Sequence, residues 1–421
     1  MTSEDIQNYA LELARKARTA SANTRTVSAD TRNRVLRHVA DSLRANETKI
    51  LDENRKDVEA NRQALAPAKL DRLTLNHERI ELMSKGAEQI AAFPDPLGKI
   101  LEKRTLENGA EISRVSVPLG SVFFIYESRP NVTIDGAALC FKAGNSVILR
   151  GGKESLHSSK ILARIFQDSL SKFDIDPSAV QLVEHPDHAI VGALLKMRDY
   201  LDLAIPRGGE NLIRAVVEQS SIPVIKHFNG ICHVYVDKSA DIEMASRIVD
   251  NAKTQRPGTC NSMETLLLDK ALSDEAVGKI LAPLREKKVE LFGDHLAIAR
   301  IPDAKFIGDD SNYRQEYLAY KLSVRFIDGV KAACEHIEKY SSRHTESIIA
   351  SDKSAIDYFV SNVDSSSVMV NASTRLADGG VYGLGAEVGI STDKIHARGP
   401  MGVESLCSYK WILVGNGQLR T

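Results

Sequence analysis

The sequence lacks most features that would tie a chain to polyanions, metals or a membrane. It has one tryptophan and only 5% aromatic residues, too few to interleave stacking rings with cations as single-strand nucleic-acid binders do. Neither sign of charge is in surplus. Fifty-five basic residues against 56 acidic leave a formal charge of −1, so neither nucleic acid nor an anionic membrane is expected as a main partner. No apolar run approaches the ~18 residues that span a bilayer. The opening MTSEDIQNYALELARKAR is acidic and then amphipathic, without the basic start and apolar stretch of a secretory signal. The five cysteines, at 140, 232, 260, 334 and 407, form no C-x-x-C pair and no zinc spacing. An odd, scattered set reads as reduced thiols of a cytoplasmic protein. His185 and His188 stand three apart in what reads as a loop, so no metal site is expected. No G-x-G-x-x-G dinucleotide fingerprint is present.

What is there is an ordinary globular balance, 43% hydrophobic and 26% charged over 421 residues, long enough for two or three domains at ~100–200 residues each. The first hundred residues read as helices. Ile6, Ala10, Leu13, Ala14 and Ala17 share one face, and Val35, Leu36, Val39 and Leu43 repeat the pattern behind a Ser28 cap. Pro94, Pro96 and Gly98 end this region. Strands and helices then alternate. Ser121–Tyr126, Ser146–Arg150, Ala179–Val183, Leu201–Ile205 and Pro223–Ile225 are apolar on both faces, as in a covered parallel sheet. A second series starts near Lys226, with strands at Val234–Asp237, Glu264–Leu268, Leu322–Phe326, Ser347–Ala350 and Val368–Asn371, and a strand-like tail at Tyr409–Val414. The expected fold class is α/β, with a doubly wound unit whose ligands sit beyond the carboxyl ends of its strands.

Several short motifs invite a chemical reading, each with a structural alternative. TQRPGTC, Thr254–Cys260, breaks a helix at Pro257–Gly258 and presents Cys260 just before an apolar strand. A nucleophilic thiol needs such access, and Arg256 can supply positive charge; a buried small hydrophobe is the alternative. Arg150, Gly151, Gly152 and Lys153 follow a strand and open a helix, as an anion-binding turn does; a plain turn with two solvated cations is the alternative. Gly208 and Gly209 in PRGGEN make a second such junction. Asn131 can donate to a developing oxyanion or cap a helix. NASTR, Asn371–Arg375, and HARGP, His396–Pro400, pair an arginine with small or polar residues, suiting a bound carboxylate or phosphate, or a surface ion pair.

Taken together the stretches VPLGSVFFIYESRPNVT, KAGNSVILRGGKES, IPRGGENLI, NAKTQRPGTCNSMETLL, VNASTR, GLGAEVGISTDKIHARGPMG and YKW resemble the aldehyde dehydrogenase superfamily, and within it the gamma-glutamyl phosphate reductases. They run in order from Val117 to Trp411. The resemblance implies an aldehyde-dehydrogenase-like architecture: a cofactor-binding domain over 1–105 and 119–225, a catalytic domain over 226–394, and a small β oligomerisation arm over 106–118 and 395–421. It implies NADPH-dependent reduction of L-glutamyl 5-phosphate to glutamate 5-semialdehyde, a step toward proline, with Cys260 as the nucleophile and Asn131 as the oxyanion donor. Arg150, Gly151, Gly152, Lys153, Gly208, Gly209 and Glu316 are then expected at the cofactor. Arg129, Arg256, Asn371, Arg375 and Arg398 are candidates for the substrate's carboxylate or phosphate. His227, in HFNG, stands where oxidative relatives carry the glutamate that activates a hydrolytic water, a departure that suits a reductase. A homo-oligomer is implied, and the lability of an acyl phosphate makes glutamate 5-kinase a candidate partner. The alternatives are another NAD(P)-dependent aldehyde or acyl-phosphate dehydrogenase of the superfamily, and a non-catalytic scaffold. Joint retention of Cys260, Asn131 and Glu316 speaks against the scaffold.

Overall fold

The computed structural model describes residues 1–226, 228–384 and 386–420. The chain divides into two compact units, Met1–Lys226 with Leu384–Gly389 and Met401–Thr421, and His227–Gly383 with Ile390–Pro400. The segment around 384–401 is thus shared between the units, which a single cut at 394/395 does not describe.

The first unit is built on a four-stranded parallel sheet in the order Val180–Leu182, Ser146–Arg150, Ser121–Tyr126, Leu203–Arg207. Ser121–Tyr126 and Ser146–Arg150 are buried along their whole length, which is why they read as continuous apolar runs rather than alternating ones. The expected strand Pro223–Ile225 is reduced to one parallel bridge between Val224 and Ala204. Pro223 has no N–H to extend a ladder, although its carbonyl accepts the Ala204 N–H at 2.8 Å.

Helices cover the sheet. Ser3–Thr24 starts in a capping box between Thr2 and Asp5, and its Ile6, Ala10, Ala14 and Ala17 pack against Phe123, Ile125 and Ile148. Alanine at three of these four positions lets the helix lie close to the sheet, and each large side chain buried there is worth ~1.5–3 kcal/mol. Ser28 caps the next helix, Ala29–Ala45, by accepting the Thr31 N–H. A three-stranded antiparallel sheet, Ile100–Thr105, Glu111–Pro118 and Cys407–Val414, belongs to the same unit. Its first strand lies before residue 106, the expected start of the arm, and KILEKRT carries no apolar face to announce a strand. In the last strand Trp411, Leu413 and Val414 are exposed.

The second unit holds a seven-stranded sheet in the order Lys305–Phe306, Glu290–Gly293, Lys321–Ile327, Met263–Asp269, Cys232–Val236, Thr345–Ile349, Ser367–Val370, parallel throughout. Met263–Asp269 is central and buried at every residue. One face packs Val234, Leu266 and Val324 under the helices Ile242–Thr254 and Asp274–Glu286. The other packs Tyr235, Leu267 and Ile348 under Gly329–Tyr340 and Lys353–Asn362. Among the described residues no helix is long and apolar enough to cross a membrane.

Candidate active site

In the first unit the strand order reverses between Ser121–Tyr126 and Leu203–Arg207. The chain leaves the former toward Ser146–Arg150 on one side and returns on the other. Crevices beyond the carboxyl ends at such a reversal are where doubly wound sheets bind ligands. A cleft of about 370 Å³ opens there, with Ile125, Val191, Leu212 and Val216 as apolar wall and Lys69, Arg72, Arg129 and Arg150 as cations. Lys69 and Arg72 belong to the short helix Pro67–Leu73. Sequence reasoning missed both, since solvated cations on a polar helix carry no motif.

The glycine turns of the cleft are tightly built. A Cβ on Gly151 would meet the Tyr126 ring at 3.0 Å, one on Gly152 the Ser128 Oγ at 2.2 Å, and one on Gly208 the Glu127 Cγ at 2.8 Å. Gly209 donates its N–H to Glu127 Oε1 at 2.7 Å just before helix Glu210–Gln219, a favourable place for a carboxylate at the positive end of the helix dipole. Arg150 is only 4% exposed. Its guanidinium donates to the carbonyls of Gly151 and Pro186, and its Nε is buried without a partner. RGGK does not open an α-helix directly. Lys153–Ser155 forms a 3₁₀ turn, Lys153 is exposed, and the helix runs from Leu156.

Asn131 is the first residue of helix Asn131–Lys142, and the capping position is taken by Pro130. Freed from the cap, its Nδ2 donates to Asp135 Oδ2 at 3.0 Å. Burial pushes the Asp135 carboxyl up to about 6, while the Asn131 hydrogen bond and the charge of Arg207 pull it down.

In the second unit Cys260 lies in the loop between helix Ile242–Thr254 and strand Met263–Asp269, part-exposed. The backbone of Gly230 packs directly on it: a Cβ there would fall 1.7 Å from the Cys260 carbonyl oxygen. The Gly230 N–H donates to Glu316 Oε1 at 2.7 Å. Beneath the loop the buried Cys232 thiol donates to the Cys260 carbonyl at 3.2 Å, and burial holds that thiol well above its usual range, so it stays protonated and able to donate. Arg375 grips the loop from outside, donating from Nε to Gln255 Oε1 at 2.9 Å and from a terminal nitrogen to Asn261 Oδ1. Burial and the neighbouring Arg256 pull the Arg375 guanidinium down, and Asp378 and Cys260 pull it back. Arg256 and Arg375 are therefore both within electrostatic reach of one another, and Arg375 of Cys260.

The remaining candidates are engaged elsewhere. Asn371, at φ +52°, uses both amide atoms on the backbone of Ala350, at 2.9 Å each. Arg398 donates to the Asp364 carboxylate at 2.7 Å and to its carbonyl at 2.8 Å, and Lys394 and Arg398 together hold Asp364 down at about 2. Arg129 is exposed at the mouth of the first unit's cleft. The expectation for His227 lies outside the described residues. All five cysteines stand as thiols, and the described residues hold no group of three or more His, Cys, Asp and Glu fit for a metal ion.

A reversing parallel sheet with glycine turns, joined in one chain to a second parallel sheet that presents a loop cysteine, defines a class. The aldehyde dehydrogenase family model matches residues 2–296, and the chain belongs to that family of oxidoreductases. More particularly, it is 46% identical over 422 aligned residues, covering 100% of this chain and 99% of the relative, to the gamma-glutamyl phosphate reductase of Paramagnetospirillum magneticum. The crystal structure of gamma-glutamyl phosphate reductase from Thermotoga maritima matches with a TM-score of 0.96 at 39% identity, over 98% of this chain and 100% of that one. The fold extends to more distant proteins. An engineered glycolyl-CoA reductase with bound NADP⁺ matches with a TM-score of 0.66 at 16% identity, over 96% of each chain.

Proposed function

We propose that the protein reduces L-glutamyl 5-phosphate to L-glutamate 5-semialdehyde and phosphate, using NADPH, with Cys260 as the nucleophile. The full-length likeness to two gamma-glutamyl phosphate reductases carries this reading. The Cys260 thiolate attacks the acyl carbon and phosphate leaves with the C–O bonding pair, giving a thioester. Reduction of the thioester gives a thiohemiacetal, whose collapse returns the thiolate and releases the aldehyde. Asn131 is, by the likeness to that family, the side-chain donor to the oxyanion. Arg256 and Arg375 favour the thiolate and the leaving phosphate by their charge. Asn371 and Arg398 stay candidates for the substrate carboxylate, each steadied by its contact with Ala350 or Asp364.

The residues of the first unit's cleft fit a dinucleotide. Its apolar wall suits an adenine, its glycine turns leave no room for side chains where phosphates approach a backbone, and the buried unpartnered Nε of Arg150 is a donor in want of an acceptor. Gly151, Gly152, Gly208 and Gly209 would line the backbone approach, and Lys69, Arg72, Arg129 and Lys153 would favour the extra phosphate of NADPH. Glu316 would hold the nicotinamide ribose. When bound, the reduced nicotinamide supplies the hydride. The exposed apolar strand Cys407–Val414, part of the expected arm, fits burial in a homo-oligomer, and glutamate 5-kinase, as the source of a labile acyl phosphate, is the partner to test.

The reverse reaction tests the proposal most directly. Glutamate 5-semialdehyde, phosphate and NADP⁺ are expected to give reduced cofactor, followed by absorbance, only when phosphate is present, and Cys260→Ala is expected to abolish it. Activity without phosphate would instead mark a hydrolytic aldehyde dehydrogenase.

A further inference from the structure

The loop that carries Cys260 is closed at its base by two charges. Lys253, in the last turn of helix Ile242–Thr254, donates from Nζ to Glu264 Oε2 at 2.7 Å, and both side chains are 0% exposed. Glu264 is the second residue of strand Met263–Asp269, so the pair joins the residue before the loop to a residue just after it. Its other oxygen, Oε1, accepts the N–H of Leu318 at 3.2 Å.

Leu318 stands at φ +51°, a left-handed conformation that costs a residue with a Cβ ~1–2 kcal/mol. Its side chain is 46% exposed, so apolar packing does not hold it there. Two residues earlier, Glu316 accepts the N–H of Gly230, whose backbone abuts Cys260. One carboxylate therefore ties together both ends of the Cys260 loop and the segment that carries Glu316.

A buried ion pair is a poor device for stability alone. Desolvation offsets its Coulombic gain, and apolar replacements of similar volume are often neutral or stabilising. We infer that Lys253 and Glu264 are positioning residues for Cys260 and Glu316, fixing the loop and the strained Glu316–Leu318 segment against one another. The inference rests on Cys260 being the nucleophile. Burial pushes Glu264 up and Lys253 down, and each partner pulls the other part of the way back toward its charged form.

Two variants test it: Glu264→Gln, and the double change Lys253→Met with Glu264→Leu. An amide cannot serve both partners of Glu264, because in either orientation its NH₂ faces a donor. Glu264→Gln is therefore expected to lower kcat about tenfold or more with little change in KM, and to slow iodoacetamide alkylation of Cys260, followed by peptide mass spectrometry, to a similar extent. The double variant is expected to recover the parent's melting temperature while alkylation and kcat stay depressed. Recovery of all three in the double variant, or parental kcat in Glu264→Gln, would show the pair to be structural only and overturn the inference. If the parent's Cys260 is inert to alkylation and Cys260→Ala keeps its activity, the nucleophile assignment itself falls and takes the inference with it.

Discussion

Gly230 lies so close to Cys260 that a methyl group on its α-carbon would sit 1.7 Å from the Cys260 carbonyl oxygen and 2.6 Å from its α-carbon. The φ of Gly230 is not the constraint; the space is. The other side of the contact is rigid, since what the methyl would meet is backbone rather than the end of a flexible side chain.

Gly230→Ala is therefore expected to displace the Cys260 loop, and with it the Glu316 contact. A misplacement of about 1 Å can cost on the order of 100-fold in rate, so kcat should fall by that order. Circular dichroism should remain native, because the surrounding strands Cys232–Val236 and Met263–Asp269 are anchored by their own cores. Steady-state kinetics with parental activity in this variant would contradict the assignment of the loop.

Asp135 gives a pH-dependent prediction. Its folded carboxyl lies near 6 against an ordinary 3.8, so between these values the folded state holds the extra proton and stability falls as pH rises. Asp135→Asn removes the penalty while keeping an oxygen to accept from Asn131. The variant should be more stable than the parent at pH 7.5 by on the order of 2 kcal/mol, and the gain should vanish near pH 4. Calorimetric melts at the two pH values measure both.

Arg375 holds Gln255 and Asn261 on either side of Cys260. Charged hydrogen bonds of this kind are worth ~1.5–3 kcal/mol. Arg375→Lys keeps the charge but cannot reach both partners, so kcat and the alkylation rate of Cys260 should drop about tenfold or more. A variant indistinguishable from parent in both assays would leave Arg375 without a role at the loop.

The cations of the first unit's cleft allow a test of the proposed NADPH site. Lys69→Ala combined with Arg72→Ala should raise the KM for NADPH by about tenfold or more, in line with a loss of ~1.4 kcal/mol or more of phosphate attraction, and leave the KM for NADH nearly unchanged. Equal effects on both cofactors would point to a general loss of the cleft wall instead.

The two sheets were legible because buried parallel strands write themselves as apolar runs. SVFFIY and SVILR leave little alternative, and Ser28 and Pro257–Gly258 punctuate their helices by local chemistry. What escaped was set by distance in the chain or by edge position. Ile100–Thr105 pairs with Glu111–Pro118 but buries neither face, so its periodicity carries no signal. Asn131 read equally well as a helix cap until Pro130 took that place. Lys253 and Glu264 are eleven residues apart on different elements, a spacing with no meaning until the helix and strand are laid side by side. The contacts of Asn371 with Ala350 and of Arg398 with Asp364 are likewise tertiary, and no spacing in the sequence announces them.

The three-stranded sheet has a consequence for synthesis. Glu111–Pro118 pairs along its length with Cys407–Val414, and the Asn145 amide donates to the Leu406 carbonyl at 2.9 Å. The first unit thus draws on residues made nearly three hundred positions apart. As the chain leaves the ribosome, the helices and the four-stranded sheet can form early, but one edge of Glu111–Pro118 stays bare until the whole second unit has been translated. A nascent chain halted before Cys407 would carry that open edge through most of its elongation, an exposed template for pairing with other chains.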